Sequence, residues 1–272
     1  MICSLCPNHC HLEEGQTGRC RARTCLNGKS VCTNYGEITA LALDPIEKKP
    51  LARFYPGSLI LSVGSYGCNL SCPFCQNSAI AMSDNRIETV PISPEELVKK
   101  ARDLVPQGNI GLAFTYNEPL ISFEYVHDCA GLAHERGLKT VLVTNGTVCR
   151  EPLLELLPLI DAMNIDLKGF TQAFYNKVGG DLETVKNTIT LAAARCHIEV
   201  TTLIIPDLND SEGEMDALAR WLSSVSPEIP LHISRFFPRH KMNDKNPTPI
   251  EKIYSLKKIA DKHLHFVYTG NC

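Results

Sequence analysis

The rhythm of apolar and polar positions changes near residue 57 of this 272-residue chain. Beyond it, short apolar runs of strand length alternate with stretches whose apolar residues recur at helical spacing. Residues 59–64, 110–116, 139–144, 162–167, 198–205, 231–236 and 265–268 predict strands, with helices between them. Ser93-Pro94-Glu95-Glu96 offers an N-cap, a proline at the first helical position and a glutamate at the third, and Thr248-Pro249-Ile250-Glu251 repeats that signature. Residues 181–195 and 211–225 carry helical apolar spacing. Seven βα-like steps predict an α/β fold with a parallel sheet and right-handed crossovers. Periodicity alone leaves open whether the sheet is flat, a partial barrel or closed. In each case the functional face lies at the carboxyl ends of the strands.

Residues 1–56 read differently. They are rich in Cys, Gly and turns and have no helical period. Asn27-Gly28 predicts a hairpin between residues 23–26 and 29–33. The expected organisation is a small Cys-rich β appendage, 1–56, followed by a main domain, 57–272. So short a segment buries little core, so a metal or docking on the main domain should hold it.

Composition narrows the function. A hydrophobic fraction of 44% and a net charge of −3 exclude general disorder and give no electrostatic footprint for nucleic acid. No apolar window is long enough for a membrane span, and MICSLCPNHCHLEEG has no apolar run of a secretory signal, so a cytoplasmic location is expected. The 13 cysteines are an odd number and clustered, which points to metal ligation more than to a disulfide scaffold.

Three of them form Cys68-x3-Cys72-x2-Cys75, in the loop after the first main-domain strand. Three close thiolates would hold three irons of a four-iron cluster and leave the fourth open to a small molecule. The alternatives are a zinc site or unpaired thiols. Other polar residues fall at strand ends. Glu118 precedes a helix, where it either complements the dipole or meets a ligand. Asn164, Asp166 and Lys168 share one face of a strand, an expensive arrangement unless they are paired, ligand-bound or on a solvated edge. His232 shares a face with Ser234, and Glu199 shares one with Thr201.

With Phe74 before its last cysteine, the triplet resembles that of the radical S-adenosylmethionine (SAM) superfamily. The resemblance implies a partial (β/α)6 TIM-like barrel and a [4Fe-4S] cluster on Cys68, Cys72 and Cys75. It also implies an oxidoreductase that cleaves SAM to a 5′-deoxyadenosyl radical for hydrogen abstraction. Tyr116-Asn117-Glu118-Pro119 resembles the Gly-Gly-Glu-Pro type of segment in pyruvate formate-lyase activating enzymes, which implies Glu118 at the SAM amino group. By the same resemblance Thr144 and Asn145 lie beside the SAM ribose, and Asp166 and Lys168 contact SAM, with Lys168 and His232 near its carboxylate. Val143 stands where activating enzymes carry an aspartate for a monovalent cation.

Residues 44–51, Arg235-Phe236-Phe237-Pro238, Tyr268-Thr269-Gly270-Asn271 and the pattern of Cys3, Cys6, Cys10 and Cys20 resemble the AmmeMemoRadiSam branch. That branch implies anaerobic chemistry and an electron donor such as flavodoxin or ferredoxin. It also implies a Memo-like, AMMECR1-like or glycyl-radical-enzyme partner. The four N-terminal cysteines could bind zinc or a second cluster, or act as catalytic thiols. The basic loop 237–245 is either solvated surface or a contact for an anionic substrate or partner. A rival of another class is a non-enzymatic iron–sulfur electron carrier or metal-binding scaffold.

Overall fold

The computed structural model describes all 272 residues. It begins with a hairpin of β1 (Arg23–Leu26) and β2 (Lys29–Cys32). Asn27 and Gly28 both take positive φ, 52° and 70°, as a two-residue hairpin turn with the strand twist requires. β3 (Glu37–Ile38) and β4 (Ala40–Pro45) follow, then β5 (Leu59–Gly64) and β6 (Val90–Pro91), which pairs with β3. The remaining strands are β7 (Asn109–Phe114), β8 (Lys139–Thr144), β9 (Ala162–Asp166), β10 (His197–Ile204), β11 (Leu231–Arg235) and β12 (Val267–Gly270).

The main sheet runs β12-β11-β10-β9-β8-β7-β5-β4. From β5 to β12 every neighbouring pair is parallel. The sheet is open, with β4 and β12 as its edges, which agrees with a partial barrel. The main sheet does not begin at residue 57. β4 lies inside the expected appendage yet pairs antiparallel with β5 along its whole length, because the free backbone groups on that edge of β5 need partners.

The helices are α1 (Ser78–Ala81), α2 (Pro94–Asp103), α3 (Phe123–Glu135), α4 (Arg150–Leu156), α5 (Gln172–Val178), α6 (Leu182–Ala193), α7 (Glu212–Val225) and α8 (Ile250–Ala260). Ser93 caps α2 in a full capping box with Glu96. Asp181 and Ser211 cap α6 and α7. Thr248 does not cap α8. Its hydroxyl donates instead to the carbonyl of Ile204 at 2.6 Å, satisfying an acceptor at the end of β10. No helix is long and apolar enough to cross a membrane.

Two cores divide the faces of the sheet. Leu112, Leu142, Met163, Ile165 and Ile233 belong to the large one, with Leu97 and Val98 of α2. On the other face Ala113, Val141 and Ala162 are small enough to admit a plug of Ile46, Leu51 and Phe54. Burial of each plug side chain is worth about 2 kcal/mol. The plug fills one level of that face, so the polar side chains further along the strands have room for a site.

Candidate active site

The loop after β5 is pinned on several sides. The Cys68 N–H donates to the Cys20 carbonyl at 3.1 Å, Ser71 N–H to Val178 at 2.8 Å and Lys241 N–H to Pro73 at 2.9 Å. Arg21 donates to the Cys68 carbonyl at 3.3 Å. Gly67, at φ 85°, enters this loop so close to the N-terminal segment that a Cβ would stand 2.5 Å from the Cys20 oxygen, so only glycine fits.

Cys68, Cys72 and Cys75 face one open pocket. The Sγ of Cys68 accepts from the Leu70 N–H at 3.4 Å and from Asn145 Nδ2 at 3.6 Å. Burial pushes the Cys68 thiol well above the ordinary range. Burial also raises Cys72, opposed by the charge of Lys168, to about 11. Such thiols become thiolates when a metal centre stabilises the anion. No three His, Cys, Asp or Glu side chains anywhere in the chain converge as ligands of one ion. A four-iron cluster gives each thiolate its own iron, so its ligands need not converge. Three thiols on a fixed loop, with N–H donors aimed at one sulfur, fit such a cluster.

The pocket also holds Glu118, Thr144, Asn145, Asp166 and Lys168, so the structure brings together all but one of the cofactor-binding residues expected from the sequence. The Glu118 carboxylate is buried. It accepts from Leu120 N–H (3.0 Å) and the Thr144 hydroxyl (2.6 Å) on one oxygen, and from Asn145 N–H (2.8 Å) on the other. A carboxylate has about four acceptor sites, so one remains for a ligand. Burial pushes its pKa up to about 7, against the pull of these donors. Lys168 Nζ meets Asp166 Oδ2 at 2.9 Å. Burial alone would depress the ammonium, but Asp166 and the neighbouring thiolate positions hold it above its ordinary value, so it stays charged. Val143 lines the pocket where a cation-binding aspartate was the alternative.

His232 is the exception. Its Nε2 bonds Glu199 Oε2 at 2.6 Å, and its ring stacks on Tyr268. Glu199 is fully buried and also meets His197 Nε2 (2.9 Å) and the backbone N–H groups of Ala52 (2.9 Å) and Arg53 (2.8 Å). Burial opposes its charge, but these four donors bring its pKa down to about 2. His232 is thereby held in a second cavity with Thr201, Ser234 and Tyr268. The two cavities adjoin, since Gln76 and Leu203 line both.

Tyr116, named from the sequence only as part of the segment around Glu118, is a non-glycine residue at φ 71° in the pocket wall. Its hydroxyl donates to Asp44 at 2.8 Å, Asp44 pairs with the buried Lys49 at 2.9 Å, and the Lys49 ammonium lies 4.8 Å from the Tyr116 ring centre. The signal was present in the run Asp44-Pro45-Ile46-Glu47-Lys48-Lys49, but its partner is 72 residues away.

A family model described as the radical SAM superfamily matches residues 62–222. That stretch contains the three cysteines and every residue that lines the open pocket. The chain belongs to the radical SAM superfamily. It is an enzyme whose cofactors are a [4Fe-4S] cluster and SAM. An uncharacterized protein of Methanocaldococcus jannaschii is 39% identical over 274 residues, 99% of this chain and 80% of that protein. The pyruvate formate-lyase 1-activating enzyme of Escherichia coli K12 is 24% identical over 162 residues, 57% of this chain and 65% of its own. Among solved structures, Streptococcus suis SuiB bound to S-adenosylmethionine superposes with a TM-score of 0.62 at 14% identity. The match covers 78% of this chain and 52% of SuiB. The likeness to SuiB is one of fold, and this chain spans about half of SuiB's length.

Proposed function

We propose that this radical SAM enzyme binds SAM in the cysteine pocket and acts on a substrate held in the adjoining cavity of His232. When bound, the cluster and SAM supply a 5′-deoxyadenosyl radical that abstracts hydrogen from the substrate. The observation that carries the reading is the junction itself. A pocket with three thiols and a fixed cation opens, past Gln76 and Leu203, into a polar chamber.

The chain's own groups have distinct tasks. Lys168 carries the positive charge for the SAM carboxylate, and Asp166 fixes its direction. Glu118 holds the Thr144–Asn145 turn in place and offers its remaining acceptor site to the SAM amino group. Asn145 reaches both the Cys68 sulfur and the Asn69 side chain, so it couples the ribose side of the pocket to the cluster loop. In the second chamber Glu199 takes the Nε2–H of His232, which leaves Nδ1 to accept from or donate to a substrate. Ser234 and Thr201 add hydroxyls.

The similarity to activating enzymes favours a protein substrate of the glycyl-radical class over the Memo-like and AMMECR1-like partners of the AmmeMemoRadiSam branch. The electron donor would be a low-potential protein of the ferredoxin or flavodoxin kind, working anaerobically in the cytoplasm.

Anaerobic reconstitution with iron and sulfide, followed by SAM and dithionite, tests the reading. The wild type should form 5′-deoxyadenosine and Cys72→Ala should not. A well-formed cluster whose paramagnetic signal ignores SAM, with no 5′-deoxyadenosine formed, would overturn it.

A further inference from the structure

Outside the catalytic pocket, Cys3, Cys6, Cys10 and Cys20 line a single small cavity walled by Leu5 and Leu12. Three of the four thiols are buried and none is in a disulfide. The Cys3 N–H closes the loop of the first three on the Cys10 carbonyl at 3.0 Å. A buried cysteine alone is a small packing residue. Four around one void are not explained by packing, since interiors leave few voids and each costs stability. The segment can ill spare that stability, because its own core is Cys3, Leu5, Leu12 and Cys25.

The void lies directly behind the catalytic loop. The Cys20 carbonyl takes the Cys68 N–H at 3.1 Å. Asn8 donates to the Asn69 carbonyl at 3.1 Å, and the Asn69 side chain accepts from Asn145, which also reaches the Cys68 sulfur. A ligand residue of one group is therefore hydrogen-bonded to a ligand residue of the other.

We infer that Cys3, Cys6, Cys10 and Cys20 hold a second [4Fe-4S] cluster that passes electrons to the catalytic one. Four thiolates are the complete ligand set of such a cluster, with no iron left open. Zinc with four thiolates needs them to converge on one point at about 2.3 Å. These sulfurs do not converge, and neither do Cys68, Cys72 and Cys75, whose ligand is a cluster. Zinc also has no redox role, whereas SAM cleavage consumes an electron. In the transfer the reduced N-terminal cluster loses one electron and the catalytic cluster gains one. No bond breaks and no proton moves. A low-potential one-electron donor protein restores the first cluster. This role rests on the radical SAM reading, but the metal assignment does not.

The test is the variant Cys68→Ala/Cys72→Ala/Cys75→Ala, reconstituted anaerobically beside the wild type, with iron and zinc counted and the dithionite-reduced spectrum recorded. The wild type should hold about eight irons and the variant about four, with a cubane signal that SAM leaves unchanged. Cys6→Ala/Cys20→Ala, made in the wild type, should lower the count from about eight to about four and keep the SAM-responsive signal. A triple variant with zinc, or with no metal, would overturn the inference. A wild type of about eight irons whose signal never responds to SAM would instead count against the catalytic reading and leave the second cluster standing.

Discussion

Cys68, Cys72 and Cys75 open onto a pocket shared with a lysine, an aspartate, a buried glutamate and seven amide or hydroxyl side chains, whereas Cys3, Cys6, Cys10 and Cys20 face a small void shared with Leu5, Leu12, Ile121, Asn8 and Arg23. The number of thiols differs in the same sense. Three leave an iron free and need room and charge for what it binds. Four leave nothing free and need only shelter from water. The carboxylates and the lysine beside the open pocket suit a cluster that does chemistry, and the N-terminal void, which has no carboxylate in its wall, suits the electron-carrying cluster inferred above.

The most severe way to press this contrast is Cys72→Ala, for which 5′-deoxyadenosine formation should fall to background by chromatography. The next change tests the chamber rather than the cluster. Glu199 has a folded pKa of about 2 against 4.5 unfolded. Its charge therefore stabilises the fold above pH 4.5, and that contribution is lost as pH falls toward 2. Glu199→Gln should cost about 3 kcal/mol at pH 7 and flatten this acid limb in urea titrations. An unchanged limb would mean that the four donors carry no stability. Lys168→Ala should weaken SAM binding by about 2 kcal/mol, roughly thirtyfold in KM, and leave the iron count unchanged. If iron were lost as well, the cation would belong to the cluster's shell and not to SAM. The mildest change, Ser93→Ala, should lower stability by about 1 kcal/mol through the lost cap and leave SAM cleavage untouched.

The strands were legible wherever an apolar run met a turn. Residues 59–64 and 139–144 were expected and are β5 and β8 to the residue. β4 was legible only as part of the β appendage, because its apolar run Ala40-Leu41-Ala42-Leu43 does not show that its partner is β5 of the main sheet. The cysteine triplet and the Asp166–Lys168 pair were legible because their spacing is short and strand alternation fixes their face. His232 was placed near the SAM carboxylate by resemblance; its strand position says which face it takes, not which buried acid it meets. Glu199 claims it across the β10–β11 pairing. The Asp44–Lys49–Tyr116 contact was illegible for the same reason, since each of its partners looks like ordinary surface charge or core until the chain is folded.

The N-terminal segment is anchored late in the chain. Arg23 is buried and clamps Glu124 with two hydrogen bonds, 2.8 and 2.6 Å, across 101 residues of sequence. At about 5–20 residues per second of synthesis, that partner emerges roughly 5–20 s after Arg23 does. For that interval six N-terminal thiols emerge without this clamp, open to oxygen, to stray metal and to whatever machinery delivers iron and sulfide.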